Sequence, residues 1–225
     1  MDAKAKTKQY FDEIAAVYDQ SGDGRFVEPM YEALLREIEK TVESGKLLDV
    51  GCGNGSLFRF LSNAQYELFG VDFSEKMIAE AKKNCGRKAT FSVADAEALP
   101  FEDNTFDVVV CNASFHHYVH PNTVLAEMRR VLKDGGRLLI GDPYLPPVAR
   151  PLMNVLTRYS DKGDYHFYGV AEMKSLLEKN GLKRFASVKT GRHTVLHIAE
   201  KERAADSSPR NRETGHDHTT MEAAG

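Results

Sequence analysis

Short apolar runs alternate with amphipathic stretches through the middle of the chain. Each apolar run ends near an acidic or small polar residue, which is typical of a strand buried on both faces. The runs cover residues 47–50, 66–71, 89–93 and 106–111, and a fifth ends at Ile140. Because the stretches between them have helical periodicity, we predict an α/β fold with a parallel sheet and right-handed crossovers.

Two helices are predicted before the first strand. Residues 4–18 place aromatic and aliphatic side chains on one face, and residues 27–43 follow the i, i+3/i+4, i+7 pattern of an amphipathic helix. The sequence Gly22-Asp23-Gly24 lies between these segments and is predicted to end the first helix.

The last part of the domain contains an insertion, a helix and a hairpin. Residues 143–168 begin with a proline-rich loop and could cover a ligand site. The helix Val170 to Asn180 is predicted to end at Gly181, a residue type favoured just beyond a helix. Strands near 183–189 and 194–199 then complete a seven-stranded sheet, in which the last strand is antiparallel.

Residues 201–225 differ in character from the rest of the chain. They contain no aromatic side chain and almost no aliphatic bulk. Such a segment cannot bury enough apolar surface to offset the entropy of ordering, so we predict a disordered tail. The folded domain is expected to span residues 1–200, with residues 1–45 forming its N-terminal capping helices.

Composition excludes several classes of protein. The length of 225 residues suits one domain. The formal net charge of −3 disfavours a dedicated nucleic-acid binder, which usually carries a basic surplus. Three scattered cysteines suggest a reducing compartment, and neither a signal peptide nor a membrane-spanning run is visible. We therefore expect a cytoplasmic protein.

The most informative segment is the glycine-rich turn after the first strand. Residues 49–55 have the pattern D-x-G-x-G-x-G, and a helical stretch follows. Glycines in a strand–turn–helix unit let the backbone approach a ligand closely. The dinucleotide fingerprint G-x-G-x-x-G would need a glycine at position 56, where this chain has Ser56. The segment instead resembles the first motif of class I S-adenosylmethionine-dependent methyltransferases.

Four further motifs extend this resemblance over roughly residues 10–200. Asp72 ends the second strand, at the position from which an acid can hold two ribose hydroxyls. Asp95 begins a segment similar to the family's D-A-x-x-L-P-F pattern, and Asn112 ends the fourth strand. Near the N-terminus, Tyr10 and Tyr18 belong to a segment similar to the family pattern Y-F-D-x-I-A-x-x-Y-D, and the glycine turn before the fifth strand also matches.

The resemblance implies a Rossmann-like, doubly wound sheet with helices on both faces and S-adenosyl-L-methionine as the cofactor. It implies a set of cofactor-binding residues along the ends of the first four strands: Tyr18, Asp49, Gly51, Gly53, Gly55, Asp72, Phe73, Asp95, Ala96 and Asn112. For Tyr18 and Phe73, packing in the core is an alternative role. No resident metal is expected, and the His216-Asp217-His218 sequence in the tail is read as chance composition.

The sequence His116-His117-Tyr118 follows the fourth strand, at the sheet edge where ligands bind in open α/β sheets. An imidazole there could act as a general base, because its ordinary pKa lies near neutrality. We take His117 as the first candidate for the catalytic role and His116 as the second. Packing of these rings is the alternative.

The flanking patterns resemble enzymes of the ubiquinone/menaquinone-biosynthesis type and their natural-product relatives. We therefore predict methyl transfer by in-line displacement to a small-molecule acceptor, in a monomer or homodimer. A non-catalytic cofactor-binding relative and an NAD-dependent oxidoreductase on a similar sheet are alternatives. A nucleic-acid or protein acceptor is disfavoured, because no basic stripe, no D/N-P-P-Y/F motif after the fourth strand and no recruiting loop is visible.

Overall fold

A computed structural model describes residues 3–41, 43–61 and 65–203, except for the side chain of residue 158. Seven strands form one sheet in the order β3-β2-β1-β4-β5-β7-β6. The strands are β1 (Gly45–Val50), β2 (Tyr66–Asp72), β3 (Ala89–Val93), β4 (Phe106–Asn112), β5 (Leu132–Pro143), β6 (Leu182–Lys189) and β7 (Thr194–Lys201). The helices are α1 (Ala3–Ile14), α2 (Gly22–Thr41), α3 (Ser56–Phe60), α4 (Glu75–Cys85), α5 (Pro121–Val131), α6 (Arg150–Leu156) and α7 (Val170–Lys179).

The strand directions confirm the predicted sheet. Strands β1 to β5 pair in parallel, and β7 runs antiparallel to both of its neighbours, β5 and β6. The strand order reverses between β1 and β4, which is the point where open α/β sheets bind their ligands. The carboxyl ends of β1, β2 and β4 therefore bring Asp49, Asp72 and Asn112 to one edge.

The core lies on both faces of the sheet. Along β1, Leu48 and Val50 face a cluster that includes α5 and α7, whereas Leu47 faces the cluster that includes α2, α3 and α4. This alternation follows from the two-residue period of a strand. Helices cover both faces, so the central strands are apolar on each side, as their sequences predict.

The predicted break between the first two helices is displaced. Helix α1 ends at Ile14, a 3₁₀ turn spans residues 15–20, and Gly22 already begins α2. The Ser21 hydroxyl accepts a hydrogen bond from the Gly24 amide at 3.0 Å, as a helix-capping serine does. A Cβ on Gly24 would lie 2.1 Å from the Tyr18 carbonyl oxygen, so this glycine permits close packing of the turn and is not a helix breaker.

The fifth strand is longer than its apolar core. It starts at Leu132 and includes the predicted glycine turn, because Phe106 pairs with Leu132 while Val108 already pairs with Arg137. The extra residues form an irregularity within the ladder.

The domain extends slightly beyond the predicted boundary at residue 200. Lys201 ends β7, and its buried ammonium donates to the Leu132 carbonyl oxygen at 2.7 Å. Residues 204–225, including the His216-Asp217-His218 sequence, lie outside the described residues. Within the described ranges, every helix is too short or too polar to cross a bilayer.

Candidate active site

A cleft lies over the carboxyl ends of β1, β2, β3 and β4 and encloses about 840 Å³ when its open mouth is counted. Helix α1 and the following 3₁₀ turn form its cover through Lys4, Thr7, Phe11 and Tyr18. A smaller cavity adjoins it, and Tyr18, Gly51, Gly53 and Asn112 line both. Most of the residues predicted from sequence to hold a cofactor therefore line one connected space.

The floor of the cleft is the glycine turn after β1. Gly51 and Gly53 have φ angles of +75° and +53°, which glycine adopts without steric cost. A Cβ on Gly51 would lie 2.1 Å from the Ser114 hydroxyl, whereas Gly53 faces open space. The Gly53 amide donates to the Asp72 carboxylate at 2.9 Å, which ties the turn to the end of β2.

Gly55 has a different role from the one predicted. It lines neither cavity, and a Cβ at this position would lie 3.0 Å from the Cys85 sulfur and 3.1 Å from the Phe91 ring. Its φ of +78° starts α3 in the left-handed region. The third glycine of the motif thus allows the turn to pack against α4 and β3.

Asp72 stands at the end of β2 with both carboxylate oxygens in use. One accepts from the Gly53 amide and the other from the Ser74 amide at 2.8 Å. Burial raises the pKa of this carboxyl above its usual value, although the amide bonds oppose that rise. Each oxygen can accept more than one hydrogen bond. Asp72 can therefore still receive a hydroxyl from the cleft.

The far end of the cleft is formed by the segment after β3. Ala96 is buried at the wall, and Phe73 is 38% exposed. Lys4 of α1 forms an ion pair with Asp95, and its ammonium lies 5.4 Å from the centroid of the Phe73 ring. This end of the cleft is therefore flat, partly apolar and covered by a cation.

Two residues that line the smaller cavity, Asp49 and Asn112, each have a buried acceptor oxygen. Among the described residues, neither Oδ1 of Asp49 nor Oδ1 of Asn112 has a hydrogen-bond partner. Burial, and after it the charge of Asp72, raise the pKa of Asp49 to about 8. Buried polar atoms are normally paired. This end of the site is thus suited to a ligand that carries a cationic donor.

The two histidines after β4 lie at different depths. His117 lines the cleft, with its ring 5.4 Å from that of Phe11, whereas His116 lines neither cavity. Nδ1 of His116 lies 2.7 Å from the Asp142 carboxylate. Burial lowers the pKa of His116, but the charge and hydrogen bond of Asp142 and the charge of Asp164 together outweigh the effect of burial, so the net pKa is raised. Burial, and after it His116, hold the pKa of His117 well below its usual value.

Tyr10 and several ring side chains of residues 143–168 lie outside both cavities. The Tyr10 hydroxyl is 2.5 Å from the Asp23 carboxylate, and the Lys189 ammonium lies 4.1 Å from the centre of the Tyr144 ring. Tyr159, His166 and Tyr168 also line neither cavity.

Comparisons with known proteins agree with this geometry. A family profile described as a methyltransferase domain matches residues 48–140. The demethylmenaquinone methyltransferase of Thermotoga maritima is 32% identical over 72% of this chain and 79% of its own length. The chain belongs to the class I S-adenosylmethionine-dependent methyltransferases.

Other members of the family are similar over a smaller share of their length. The uncharacterized methyltransferase YcgJ of Bacillus subtilis is 32% identical over 61% of this chain. The chain spans 56 to 63% of the length of YcgJ and two further curated relatives. The crystal structure of YcgJ superposes with a TM-score of 0.65 at 21% identity, covering 76% of this chain and 97% of that one, and so supports the fold.

The residues of this methyltransferase fit the family's cofactor in chemistry. S-adenosylmethionine carries an ammonium group, two ribose hydroxyls and a flat adenine. The unpaired oxygens of Asp49 and Asn112 suit the ammonium, the Asp72 carboxylate suits the hydroxyls, and the end between Phe73 and Ala96 suits the ring. Neither buried oxygen has a donor among the described residues, and an ammonium group would supply one.

The residues that hold the cover in place were not among those predicted from the sequence. The Asp19 carboxylate accepts from the Asn54 amide at 2.7 Å and pairs with Arg59 at 2.8 Å, which joins the 3₁₀ turn to α3. The Thr7 hydroxyl donates to the Gly163 carbonyl oxygen at 3.2 Å. These partners are far apart in sequence, so a local pattern could not reveal them.

We expect Asp49→Asn to stabilise the ligand-free protein at pH 8. Asp49 ionises near pH 4 in an unfolded chain, whereas the folded carboxyl stays protonated up to about pH 8. Folding therefore takes up a proton between these values, so the contribution of Asp49 to stability falls as the pH rises. Asparagine removes this penalty. Each kcal/mol shifts the melting temperature by roughly 2–4 °C in a domain of this size, so we expect a rise of several degrees.

Scanning calorimetry at pH 8 and near pH 4 provides the measurement and its internal control. The advantage of Asp49→Asn should shrink at the lower pH, because only about half of the Asp49 carboxyls are then ionised in the unfolded chain and almost none in the folded protein. Equal melting temperatures of wild type and Asp49→Asn at pH 8 would contradict the raised pKa of Asp49.

Proposed function

We propose that this protein transfers the methyl group of S-adenosylmethionine to a small-molecule acceptor. The observation that carries the cofactor assignment is the pair of buried oxygens on Asp49 and Asn112, neither of which has a hydrogen-bond partner among the described residues. Both residues line the smaller cavity beside the cleft. The covering helix α1 narrows the cleft, which favours a small acceptor over a macromolecular surface.

Each predicted cofactor residue has a proposed task. Asp49 and Asn112 receive the ammonium, and Gly51 and Gly53 bring the backbone close to the methionine part. Asp72 accepts from the ribose hydroxyls. Residues 95–96 and Phe73 hold the adenine, which requires the Lys4 side chain to share or leave its place beside Asp95. Tyr18 closes the cleft at the junction of the two cavities.

The bound cofactor supplies a methyl group on a sulfonium that is already activated for displacement. The protein then has to hold the acceptor in line and exclude water, and orientation of this kind can account for about 7–11 kcal/mol of a barrier. Phe11, Tyr118 and Val119 form an apolar wall beside His117 at the acceptor end. Water exclusion at this wall would protect the methyl donor from hydrolysis.

We propose that His117 accepts the proton from the reacting atom of the acceptor. Its ring lies at the cleft, and its low pKa keeps it neutral at physiological pH, so a nitrogen lone pair is available. His116 is one layer deeper and acts as a positioning residue, held by Asp142. This division refines the sequence prediction, which offered both rings for catalysis.

The relatives support a small acceptor without naming one for this protein. One relative is named for demethylmenaquinone and another for 27-O-demethylrifamycin SV. These names cover different acceptor molecules on similar sheets, and fold alone does not select between them. We therefore propose a small-molecule acceptor without selecting either of these compounds.

We expect Asp72→Ala to weaken S-adenosylhomocysteine binding by roughly 10- to 100-fold, since hydrogen bonds to a charged group are worth about 1.5–3 kcal/mol. Isothermal titration measures the effect. Asp12→Asn is the matched control, because Asp12 accepts from the Ser74 hydroxyl at 2.5 Å beside the same turn but does not line the cleft. Unchanged affinity in Asp72→Ala would contradict the ribose role, and no binding by folded wild type would contradict the proposed function.

We expect His117→Ala to slow methyl transfer by roughly 10²- to 10⁴-fold, the usual range for a lost acid–base group. Affinity for S-adenosylhomocysteine should change little. Transfer from labelled S-adenosylmethionine to short-chain naphthoquinols and phenols provides the assay. His166→Ala, an imidazole outside the cleft, serves as the control. Equal rates for His117→Ala and wild type would exclude an acceptor role for this ring.

A further inference from the structure

Three side chains converge where the segment after α6 meets the end of β4. Nε2 of His116 lies 3.6 Å from Oδ1 of Asp164, and Nδ1 of His117 lies 3.7 Å from the same oxygen. One donor atom from each residue lies within 4.8 Å of the others. Both imidazoles are buried, and the Asp164 side chain is 19% exposed. We call these three residues the His116–His117–Asp164 cluster.

These distances are too long for hydrogen bonds. The cluster is therefore not explained by direct pairing of the two rings with Asp164. The backbone of Gly163 approaches the His117 ring, but Nδ1 of His117 makes no hydrogen bond of acceptable geometry within the described part of the chain. A buried ring nitrogen thus points to the same place as a carboxylate oxygen and a second ring nitrogen.

The outer contacts of the cluster orient its donor atoms. Asp142 lies 2.7 Å from Nδ1 of His116, so in the neutral ring the proton is on Nδ1 and the lone pair is on Nε2. The Ser160 hydroxyl donates to Oδ2 of Asp164 at 2.7 Å, which leaves Oδ1 directed to the rings. Such outer partners are a regular feature of metal-binding histidines and carboxylates.

The backbone fixes the segment that carries Asp164. The amides of Tyr165 and His166 both donate to the His116 carbonyl oxygen, at 2.9 and 3.0 Å. Gly163 has a φ of +73°, and a Cβ there would lie 2.1 Å from the Thr7 hydroxyl, so the chain turns sharply just before Asp164. The three donors are therefore held together by main-chain contacts that do not depend on a ligand.

We propose that the His116–His117–Asp164 cluster binds a divalent transition-metal ion, with Zn²⁺ as the best match. Two imidazoles and one carboxylate are the protein ligands of known open zinc sites. Bonds of about 2.0–2.2 Å in a tetrahedron place neighbouring donors roughly 3.3–3.5 Å apart, close to the observed 3.6 and 3.7 Å. Ca²⁺ and Mg²⁺ prefer all-oxygen sites and fit poorly.

The ion would join the segment after α6 to the end of β4 beside the acceptor wall. Three protein ligands leave a position for water or for a hydroxyl of the acceptor. Binding of an acceptor hydroxyl rests on the proposed methyl transfer, whereas binding of the metal itself does not. With the ion bound, Nδ1 of His117 would be a metal ligand and would no longer act as a base. The metal would instead lower the pKa of a coordinated acceptor hydroxyl.

The test uses the full chain without an affinity tag and with His216→Ala and His218→Ala, which removes the H-x-H sequence of the tail. After dialysis against a chelator, Zn²⁺ is titrated by calorimetry and the bound metal is counted by mass spectrometry. We expect about one ion per chain. Co²⁺ as a spectroscopic probe should give the visible absorption of a tetrahedral nitrogen–oxygen site.

Variants assign the ligands. Asp164→Asn and His117→Ala should each weaken Zn²⁺ binding by more than about 100-fold, and Asp142→Asn by roughly 10- to 100-fold, the usual range for an outer partner. His166→Ala is the control, because its imidazole lies on the same segment but bonds Glu172 at 2.8 Å and should leave binding unchanged. Affinity for S-adenosylhomocysteine reports that each variant is folded.

Absence of a bound ion in the tail-substituted protein would overturn the proposal. Equal Zn²⁺ affinity in Asp164→Asn and in its parent would overturn it as well, since the ion would then lie elsewhere. A protein that binds Zn²⁺ at the cluster but fails to bind S-adenosylhomocysteine would retain this inference and contradict the proposed function instead.

Discussion

The burial of the Asp49 carboxyl is the constraint on which the rest of the site depends. Asp49 is the penultimate residue of β1, which lies between β2 and β4; the residue is 3% exposed, and one of its carboxylate oxygens is unpaired among the described residues. A pKa raised to about 8 costs the ligand-free fold several kcal/mol at neutral pH, at about 1.4 kcal/mol per unit. A cationic ligand group can recover that free energy. The ligand-free fold thus retains a local instability that a cationic ligand would relieve.

Hydrogen bonds connect the glycine turn after β1 to the end of β2. Its backbone is fixed from two sides, because the Gly51 and Cys52 amides donate to the Val71 carbonyl oxygen at 2.8 and 3.0 Å while the Gly53 amide donates to Asp72. Asp72 is therefore both a turn anchor and a candidate ligand contact. Loss of its carboxylate would affect the floor of the cleft as well as any hydroxyl that it binds.

The N-terminal cover is held by contacts with several separate parts of the site. Helix α1 contains no fully buried residue. Lys4 pairs with Asp95, Thr7 bonds Gly163, and Asp12 accepts from Ser74. Elements with few buried apolar contacts open at low free-energy cost. Helix α1 can therefore separate from the cleft at low free-energy cost without disturbing the sheet.

The sheet and the acidic residues could be predicted from sequence because each depends on local information. A strand buried on both faces needs a continuous apolar run, and an acid at the end of such a run is placed at the sheet edge by the strand itself. Gly55 was harder to assign, because its neighbours Cys85 and Phe91 come from elements that follow much later in the chain. Its motif position did not distinguish contact with a ligand from close packing.

The histidine pair could likewise be predicted only in part from the sequence. The sequence placed His116 and His117 at the ligand edge, but adjacent positions cannot reveal which ring faces the cleft. That distinction depends on Asp142, at the end of β5, and on Asp164, in the segment after α6. Both partners are distant in sequence and carry no local signature. The pairing of His116 with Asp142 holds one ring below the cleft, and the other ring lies at the cleft with a buried nitrogen that has no hydrogen-bond partner among the described residues.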